Sequence, residues 1–111
     1  MDCTFCKISQ KKIDCDIIFE DNLTICFRDI NPVAPVHLLM IPKVHIPSVF
    51  EIGRDNSAII SRIFENISKI SSILCNRSCR IVNNNGIDAL QTVKHLHFHI
   101  LGGARLGWPP C

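Results

Sequence analysis

The segment HLHFHIL, residues 95–101, places histidine at alternate positions with apolar residues between them. Such alternation is typical of a β-strand, because successive side chains of a strand point to opposite faces. The pattern predicts a strand whose apolar face packs under a helix and whose imidazole face is left for chemistry. The apolar face carries Leu96, Phe98 and Ile100, and the other face carries His95, His97 and His99.

The three imidazoles favour catalysis over two alternatives, a half-exposed polar face and a metal site without catalysis. Same-face neighbours on a strand stand about 6.6 Å apart, so one metal ion does not easily bind all three. An imidazole with a pKa of about 6.5 is both a nucleophile and a proton carrier at neutral pH. One histidine can attack phosphorus while a second donates hydrogen bonds to the phosphoryl oxygens, where charge accumulates.

The rest of the chain predicts four more strands and two helices. Segments rich in β-branched and apolar residues indicate strands at 16–20, 23–30, 36–42 and 79–83. Apolar residues recur at helical spacing from Asp55 to Cys75, and a short helix turn is expected between Pro47 and Gly53. This order predicts an α+β fold in a single domain, residues 1–111, with a five-stranded antiparallel sheet, one long helix and a short helix.

Composition argues against nucleic-acid and membrane partners. The formal net charge is +2 and the twelve Lys and Arg residues are scattered, whereas a nucleic-acid surface clusters them. No apolar run is long enough to cross a bilayer, and the N-terminus lacks the apolar region of a signal peptide. Seven cysteines, an odd number, favour free thiols in a reducing compartment, so we expect a cytoplasmic protein. Five are expected in the core: Cys15, Cys26, Cys75, Cys79 and Cys111.

A family resemblance extends over nearly the whole chain. HLHFHILGG fits the histidine-triad pattern His-φ-His-φ-His-φ-φ, where φ is apolar. The chain resembles the Hint branch of the histidine-triad superfamily in six further segments, which occur in the same order as in that branch: DCTFCKI, IIFED, FRDINPVAPVHLLMIPKVHI, NNG, QTVKH and the final WPP. The resemblance implies a hydrolase that cleaves the P–N bond of purine nucleoside 5′-phosphoramidates through a nucleotidyl-histidine intermediate. QTVKH is also similar to the Fhit branch of diadenosine polyphosphate hydrolases, and a non-catalytic nucleotide-binding or interaction protein is a third possibility.

The resemblance implies a role for each residue that matches a family motif. His97 matches the nucleophile, His99 the histidine that binds the phosphate, and His95 and His37 complete the catalytic face, where His37 either orients that face or is structural. Asp29 matches the acid that binds the ribose hydroxyls, since a carboxylate accepts from two hydroxyls at once. Matches to the base pocket, which are alternatively ordinary core, are Phe27, Ile30, Phe5 and Ile8; matches to the phosphate site are Asn84, Gln91 and Thr92.

Cys3 and Cys6 have the CxxC spacing of metal ligands. Some bacterial relatives bind zinc with residues that match these two together with His45 and His95. The resemblance therefore implies a closed, structural Zn²⁺ site and no organic cofactor. The alternative is a pair of free thiols near a chain end.

The phosphate loop departs from the family pattern at one residue. Leu90 stands in the phosphate loop where relatives carry glycine, and leucine does not readily take a positive φ.

Hint proteins are two-fold dimers with a continuous ten-stranded sheet, so we expect a homodimer. Ile59, Ile63, Ile67 and Ile70 are expected to be available to the partner, and the tail 107–110 to carry Trp108 to the partner's site.

Overall fold

Five antiparallel strands form one sheet in this computed structural model, which describes residues 3–109. In sheet order they run β1-β2-β3-β5-β4. Their bounds are β1 Ile17–Glu20, β2 Thr24–Arg28, β3 Val36–Pro42, β4 Cys79–Val82 and β5 Phe98–Gly102. With two α-helices, α1 Thr4–Ser9 and α2 Ser57–Leu74, the predicted α+β architecture is confirmed.

Helix α2 covers one face of the sheet. Its buried residues Ile63, Ile67 and Ile70 pack against apolar side chains of β3, β5 and the segment just before β5, among them Leu96, Phe98 and Ile100. The apolar face of the triad segment therefore lies under the helix, as the alternation predicted. These isoleucines serve the protein's own core, so the expectation that Ile63, Ile67 and Ile70 are available to a partner is wrong.

The opposite face of the sheet carries a second apolar cluster under α1. Phe5 and Ile8, one helical turn apart, are buried there with Phe27, Leu39 and Ile41. Helix α1 was not predicted, because six residues with two apolar positions give little periodic signal. The short helix expected between Pro47 and Gly53 is a single 3₁₀ turn, Val49–Glu51.

The triad segment is only partly a strand, because β5 begins at Phe98 and not at residue 95. Before that point its backbone groups pair with loops. The Leu96 N–H donates to the carbonyl of Ile46 at 2.6 Å, and the carbonyl of His97 accepts from the Asn83 side chain at 2.8 Å. His95 and His97 are therefore free of the strict geometry of a strand.

Most cysteines behave as the sequence predicted. All six in the described range are free thiols, and Cys26 and Cys75 are buried in the main core. Cys79 is exposed, so its placement in the core was wrong, and Cys15 is half-buried. Cys111 lies outside the described residues. No helix within residues 3–109 combines the length and apolar character that a bilayer span requires.

Asp21 links the β1–β2 turn to α2. Its Oδ1 accepts from the N–H groups of Leu23 and Thr24 at 2.9 and 2.7 Å, and Oδ2 accepts from Asn66 Nδ2 at 2.9 Å. Burial acts to raise the pKa of this carboxyl, but the hydrogen bonds outweigh it and hold the pKa well below its usual range. The ionised carboxylate is thus a structural element of the fold.

Replacing Asp21 with asparagine should lower the free energy of unfolding by about 2–3 kcal/mol at pH 7, because the new amide N–H groups face the donors of Asn66 and Arg62. A lowered pKa stabilises the fold above the unfolded-state pKa of about 3.9, and this contribution is lost as pH falls through the folded-state pKa. The difference between wild type and variant in urea unfolding should therefore shrink below about pH 4. Asp14→Asn, at an exposed loop position, is the control and should change little; equal losses in both variants would contradict the role of Asp21.

Candidate active site

Three imidazoles meet on the sheet face opposite α2. The rings of His97 and His99 lie edge to face with centroids 5.2 Å apart. His37, on the neighbouring strand β3, brings Nε2 to 2.8 Å from Nδ1 of His99. The ring of His95 turns instead towards Cys3 and Cys6, at 3.4 and 3.5 Å from their sulfurs. The four histidines matched to catalysis thus divide into a group of three and one apart.

The environment of His97 leaves a lone pair on Nε2. Its Nδ1 lies 2.7 Å from the carbonyl oxygen of His95. A carbonyl only accepts, so Nδ1 carries the hydrogen and Nε2 is unprotonated. Burial lowers the pKa of His97, although the hydrogen bond to His95 and the charge of Asp29 oppose it, so the neutral ring is favoured. Phe5 meets the ring edge to face at 5.0 Å.

Asn83 fixes the backbone of His97, a role that the sequence did not reveal. Its Nδ2 donates to the carbonyl of His97 at 2.8 Å, and its Oδ1 accepts from Asn85 at 2.6 Å. Asn84, the predicted residue, is half-buried beside it. The antiparallel register explains its position: Val82 pairs with His99, so Asn83 continues opposite Phe98, the residue next to His97.

His99 takes the opposite tautomer to His97. The N–H of Val33 donates to Nδ1 of His37 at 3.1 Å, so the hydrogen of a neutral His37 sits on Nε2. That N–H donates to Nδ1 of His99, which leaves the hydrogen of His99 on its own Nε2. Burial lowers the pKa of His99, as do the nearby His97 and His37, while Asp29 opposes the shift.

Asp29 directly follows strand β2 and lies beside His37. Its N–H donates to the carbonyl of His37 at 3.0 Å, and its Oδ1 accepts from the N–H of Asn31 at 2.8 Å. Its Oδ2 lies 3.3 Å from Nε2 of His37. The carboxylate predicted to bind ribose is therefore in direct contact with the histidine group.

The residues matched to the base pocket separate into core and rim. Phe5 and Phe27 meet edge to face at 5.6 Å, and Ile8 is buried with them. Ile30 is 87% exposed. Three of the four side chains therefore build the second apolar cluster, whereas Ile30, which follows Asp29 in the sequence, is exposed to solvent.

Gln91 braces the loop between β4 and β5. Its Oε1 accepts from the N–H of Gly86 at 2.9 Å, and its Nε2 donates to the carbonyls of Pro47 and Val93 at 2.7 and 3.1 Å. Its side chain is therefore engaged with backbone groups, while Thr92 is exposed.

Leu90 adopts the conformation that leucine disfavours, with a φ of 61°. The strain costs about 1–2 kcal/mol. Its side chain is 77% exposed.

Trp108 lies over a side chain of its own chain. The guanidinium carbon of Arg80, on the edge strand β4, is 5.7 Å from the tryptophan ring centroid, and the ring is 80% exposed. Pro110, the last residue of the predicted tail segment, lies outside the described residues.

Cys3, Cys6, His45 and His95 converge as the CxxC spacing and the resemblance suggested. One donor atom from each lies within 4.8 Å of the others. Nε2 of His95 lies 2.8 Å from the carbonyl of Pro42, which only accepts, so its Nδ1 has a lone pair directed at the cluster. Burial lowers the pKa of His95 to about 4 and keeps it neutral. Two sulfurs and two imidazoles match the donor set of a structural zinc ion.

Burial raises the pKa of the Cys6 thiol, and the adjacent Cys3 sulfur raises it further. A bound cation would favour the thiolate forms of Cys3 and Cys6, which are the forms that bind a metal. A second group, Asp29, His37 and His99, also converges within 4.8 Å. It fits a metal poorly, because the lone pair of His37 is already used by the N–H of Val33.

Comparisons with known proteins agree with this geometry. Residues 2–106 match the family model described as scavenger mRNA decapping enzyme C-term binding. An uncharacterised HIT-like protein of Synechocystis is 39% identical over 110 residues, 98% of this chain and 96% of that protein. A HIT family hydrolase from Legionella pneumophila superposes with a TM-score of 0.96 at 38% identity, over 99% of this chain and 100% of the other. A HIT family hydrolase from Clostridium thermocellum superposes with a TM-score of 0.91 at 42% identity, over 96% of this chain and 94% of the other. With His97 and His99 placed side by side in its triad segment, this chain belongs to the histidine-triad (HIT) family.

Proposed function

We propose that this chain is a nucleotide hydrolase that cleaves the P–N bond of purine nucleoside 5′-phosphoramidates, as in the Hint branch. The observation that carries the proposal is the pair of opposite tautomers. Nε2 of His97 has a free lone pair, and Nε2 of His99, in the adjacent ring, has a hydrogen to donate. The Legionella and Clostridium relatives, both named hydrolases, support a hydrolase in general.

In this proposal Nε2 of His97 attacks the α-phosphorus in line with the leaving amine. The P–N bond of the substrate breaks as the bond to Nε2 forms, and the amine leaves with the electron pair and takes up one proton. Nε2–H of His99 donates to a phosphoryl oxygen and stabilises its charge. Water then attacks phosphorus, the bond to Nε2 breaks, and the nucleoside monophosphate leaves as the water gives up a proton.

Cys3, Cys6, His45 and His95 are proposed to hold one Zn²⁺. When bound, this ion links the N-terminal segment to the triad and supplies no reactive group.

The test of the function compares an adenosine 5′-phosphoramidate with diadenosine triphosphate under identical conditions. Phosphoramidate turnover at least about a hundredfold faster in kcat/KM is the expected result, a difference of about 3 kcal/mol in transition-state stabilisation. Faster cleavage of diadenosine triphosphate would support the Fhit type instead. Binding of adenosine monophosphate without turnover of either compound would reduce the protein to a nucleotide-binding module.

We also propose that two copies form a dimer through the β4 edge. Strand β4 pairs only with β5 among the described strands, and an unpaired edge favours strand addition. Ile81 on β4 and Ile73 and Leu74 near the end of α2 are exposed apolar residues. Trp108 lies at the same edge, over Arg80.

Light scattering at micromolar concentration should give the mass of a dimer. Removing residues 107–111 should change selectivity among phosphoramidates with different amines more than it changes the thermal midpoint, because Trp108 is expected near the partner's leaving-group side. Thr4→Ala, at an exposed position of the opposite terminus, is the control. A monomeric protein, or a shortened one with unaltered selectivity, contradicts this assembly.

A further inference from the structure

His37 connects two parts of the proposed site that bind different parts of a nucleotide. Its Nε2 lies 2.8 Å from Nδ1 of His99, the residue proposed to face the phosphoryl group. The same Nε2 lies 3.3 Å from Oδ2 of Asp29, the residue that the family resemblance predicts to bind the ribose hydroxyls. His37 is therefore in contact with both residues.

The hydrogen on Nε2 of His37 therefore has two acceptors within reach, His99 and Asp29. The N–H of Val33 occupies Nδ1 of His37, so the neutral ring carries a single N–H, on Nε2. His37 is buried, with only 6% of its surface exposed, so solvent does not replace either acceptor. The N–H is shared between a carboxylate, which is the stronger acceptor, and an imidazole, which is the nearer one.

Ribose binding changes this competition. Two hydroxyls that donate to Asp29 draw on the charge of its carboxylate and weaken it as an acceptor for His37. The N–H of His37 then turns fully to Nδ1 of His99. With Nδ1 occupied as an acceptor, His99 must carry its own hydrogen on Nε2, where it faces the phosphoryl oxygens.

We propose that Asp29, His37 and His99 form a hydrogen-bonded relay through which ribose hydroxyls hold His99 as a donor to the phosphoryl group. The relay rests on the proposed function, in that it assigns ribose to Asp29 and the phosphoryl group to His99. His37 is then a positioning residue. The consequence of the relay is that the sugar raises kcat as well as affinity, because binding energy from the ribose, remote from the reacting bond, is used in the transition state.

A kinetic comparison tests the relay with adenosine 5′-phosphoramidate and its 2′,3′-dideoxy analogue. In the wild type the dideoxy substrate should lose about tenfold in kcat, the effect of one hydrogen bond on the transition state. His37→Leu removes the donor, so kcat should fall for the ribose substrate and the two substrates should become nearly equal. His37→Gln offers two N–H groups that serve both acceptors at once, so it should keep a higher kcat than the leucine variant while also losing the sugar dependence.

A second measurement needs no turnover, so it separates the relay from the proposed function. Nitrogen-15 NMR of the His99 ring reports which nitrogen carries hydrogen. Saturating adenosine should raise the share of the tautomer with hydrogen on Nε2, and saturating 2′,3′-dideoxyadenosine should not. In His37→Leu the two nucleosides should give the same His99 spectrum.

Identical His99 spectra with both nucleosides in the wild type would overturn the relay, whatever the protein hydrolyses. So would a kcat ratio between the two substrates that is the same in wild type and His37→Leu. If phosphoramidates are not hydrolysed but adenosine still shifts His99 through His37, the proposed function fails and the relay stands.

Discussion

Replacing His97 with asparagine should reduce phosphoramidate hydrolysis by at least about a thousandfold, because the reaction loses its nucleophile. Affinity for adenosine monophosphate should largely survive, because Asp29, His37 and the apolar cluster around Phe27 remain. Wild-type enzyme quenched during turnover should carry a nucleotidyl group on His97, detected by peptide mass spectrometry, and the variant should carry none.

His99→Asn is the matched control, the same chemical change at the neighbouring imidazole. Asparagine retains an N–H donor, so this variant should lose only about ten- to a hundredfold and should still form the adduct on His97. Thermal unfolding of both variants checks that the fold is kept. Undiminished turnover in His97→Asn, or an adduct on His99, would reject the assignment of the nucleophile.

The division of the triad segment into two faces could be predicted because it depends on local alternation. Leu96, Phe98 and Ile100 are buried under α2, and the imidazoles lie on the other side. The first residue of β5 could not be predicted, because the partners of residues 95–97 are a loop carbonyl at Ile46 and the side chain of Asn83. Those partners come from distant parts of the chain and leave no periodic trace.

The tautomers of the histidines could not be predicted from the sequence either. Each is set by one backbone group, the carbonyl of His95 for His97 and the N–H of Val33 for His37. Backbone groups are the same at every residue type, so a sequence motif can identify the histidines without revealing which ring nitrogen has a lone pair. The resemblance supplied candidate roles, and the hydrogen bonds supply the physical reason why adjacent rings suit different roles.

The short helix α1 bears on the zinc site. Six residues are too few for a stable helix in isolation, so its stability must come from packing and from its ends. Cys3 is its N-cap, and the Cys3 sulfur accepts from the N–H of Cys6 at 3.4 Å. An ion shared with His45 and His95 would tie both ends of the first helical turn to the loop after β3 and to the triad segment.

Zinc should therefore co-purify at about one ion per chain and resist dialysis, since closed sites release metal slowly. Cys6→Ser should remove the ion and lower the free energy of unfolding by at least about 3 kcal/mol, or the thermal midpoint by about 10 °C or more. A strong chelator should destabilise the wild type by a similar amount and leave the variant unaffected, because the variant has no ion to lose.

Cys79→Ser is the matched control for this experiment. It makes the same chemical change at an exposed thiol outside the cluster, so zinc content and thermal midpoint should stay at wild-type values. Zinc loss in Cys6→Ser alone identifies the ligand, whereas equal loss in both variants would point to non-specific thiol binding. Less than about a tenth of an ion per chain, in wild-type protein purified without chelator, would reject the site, since a closed tetrahedral set retains its metal through purification. The cluster of Cys3, Cys6, His45 and His95 would then be side-chain packing without a metal, and Cys6→Ser would cost no more stability than Cys79→Ser.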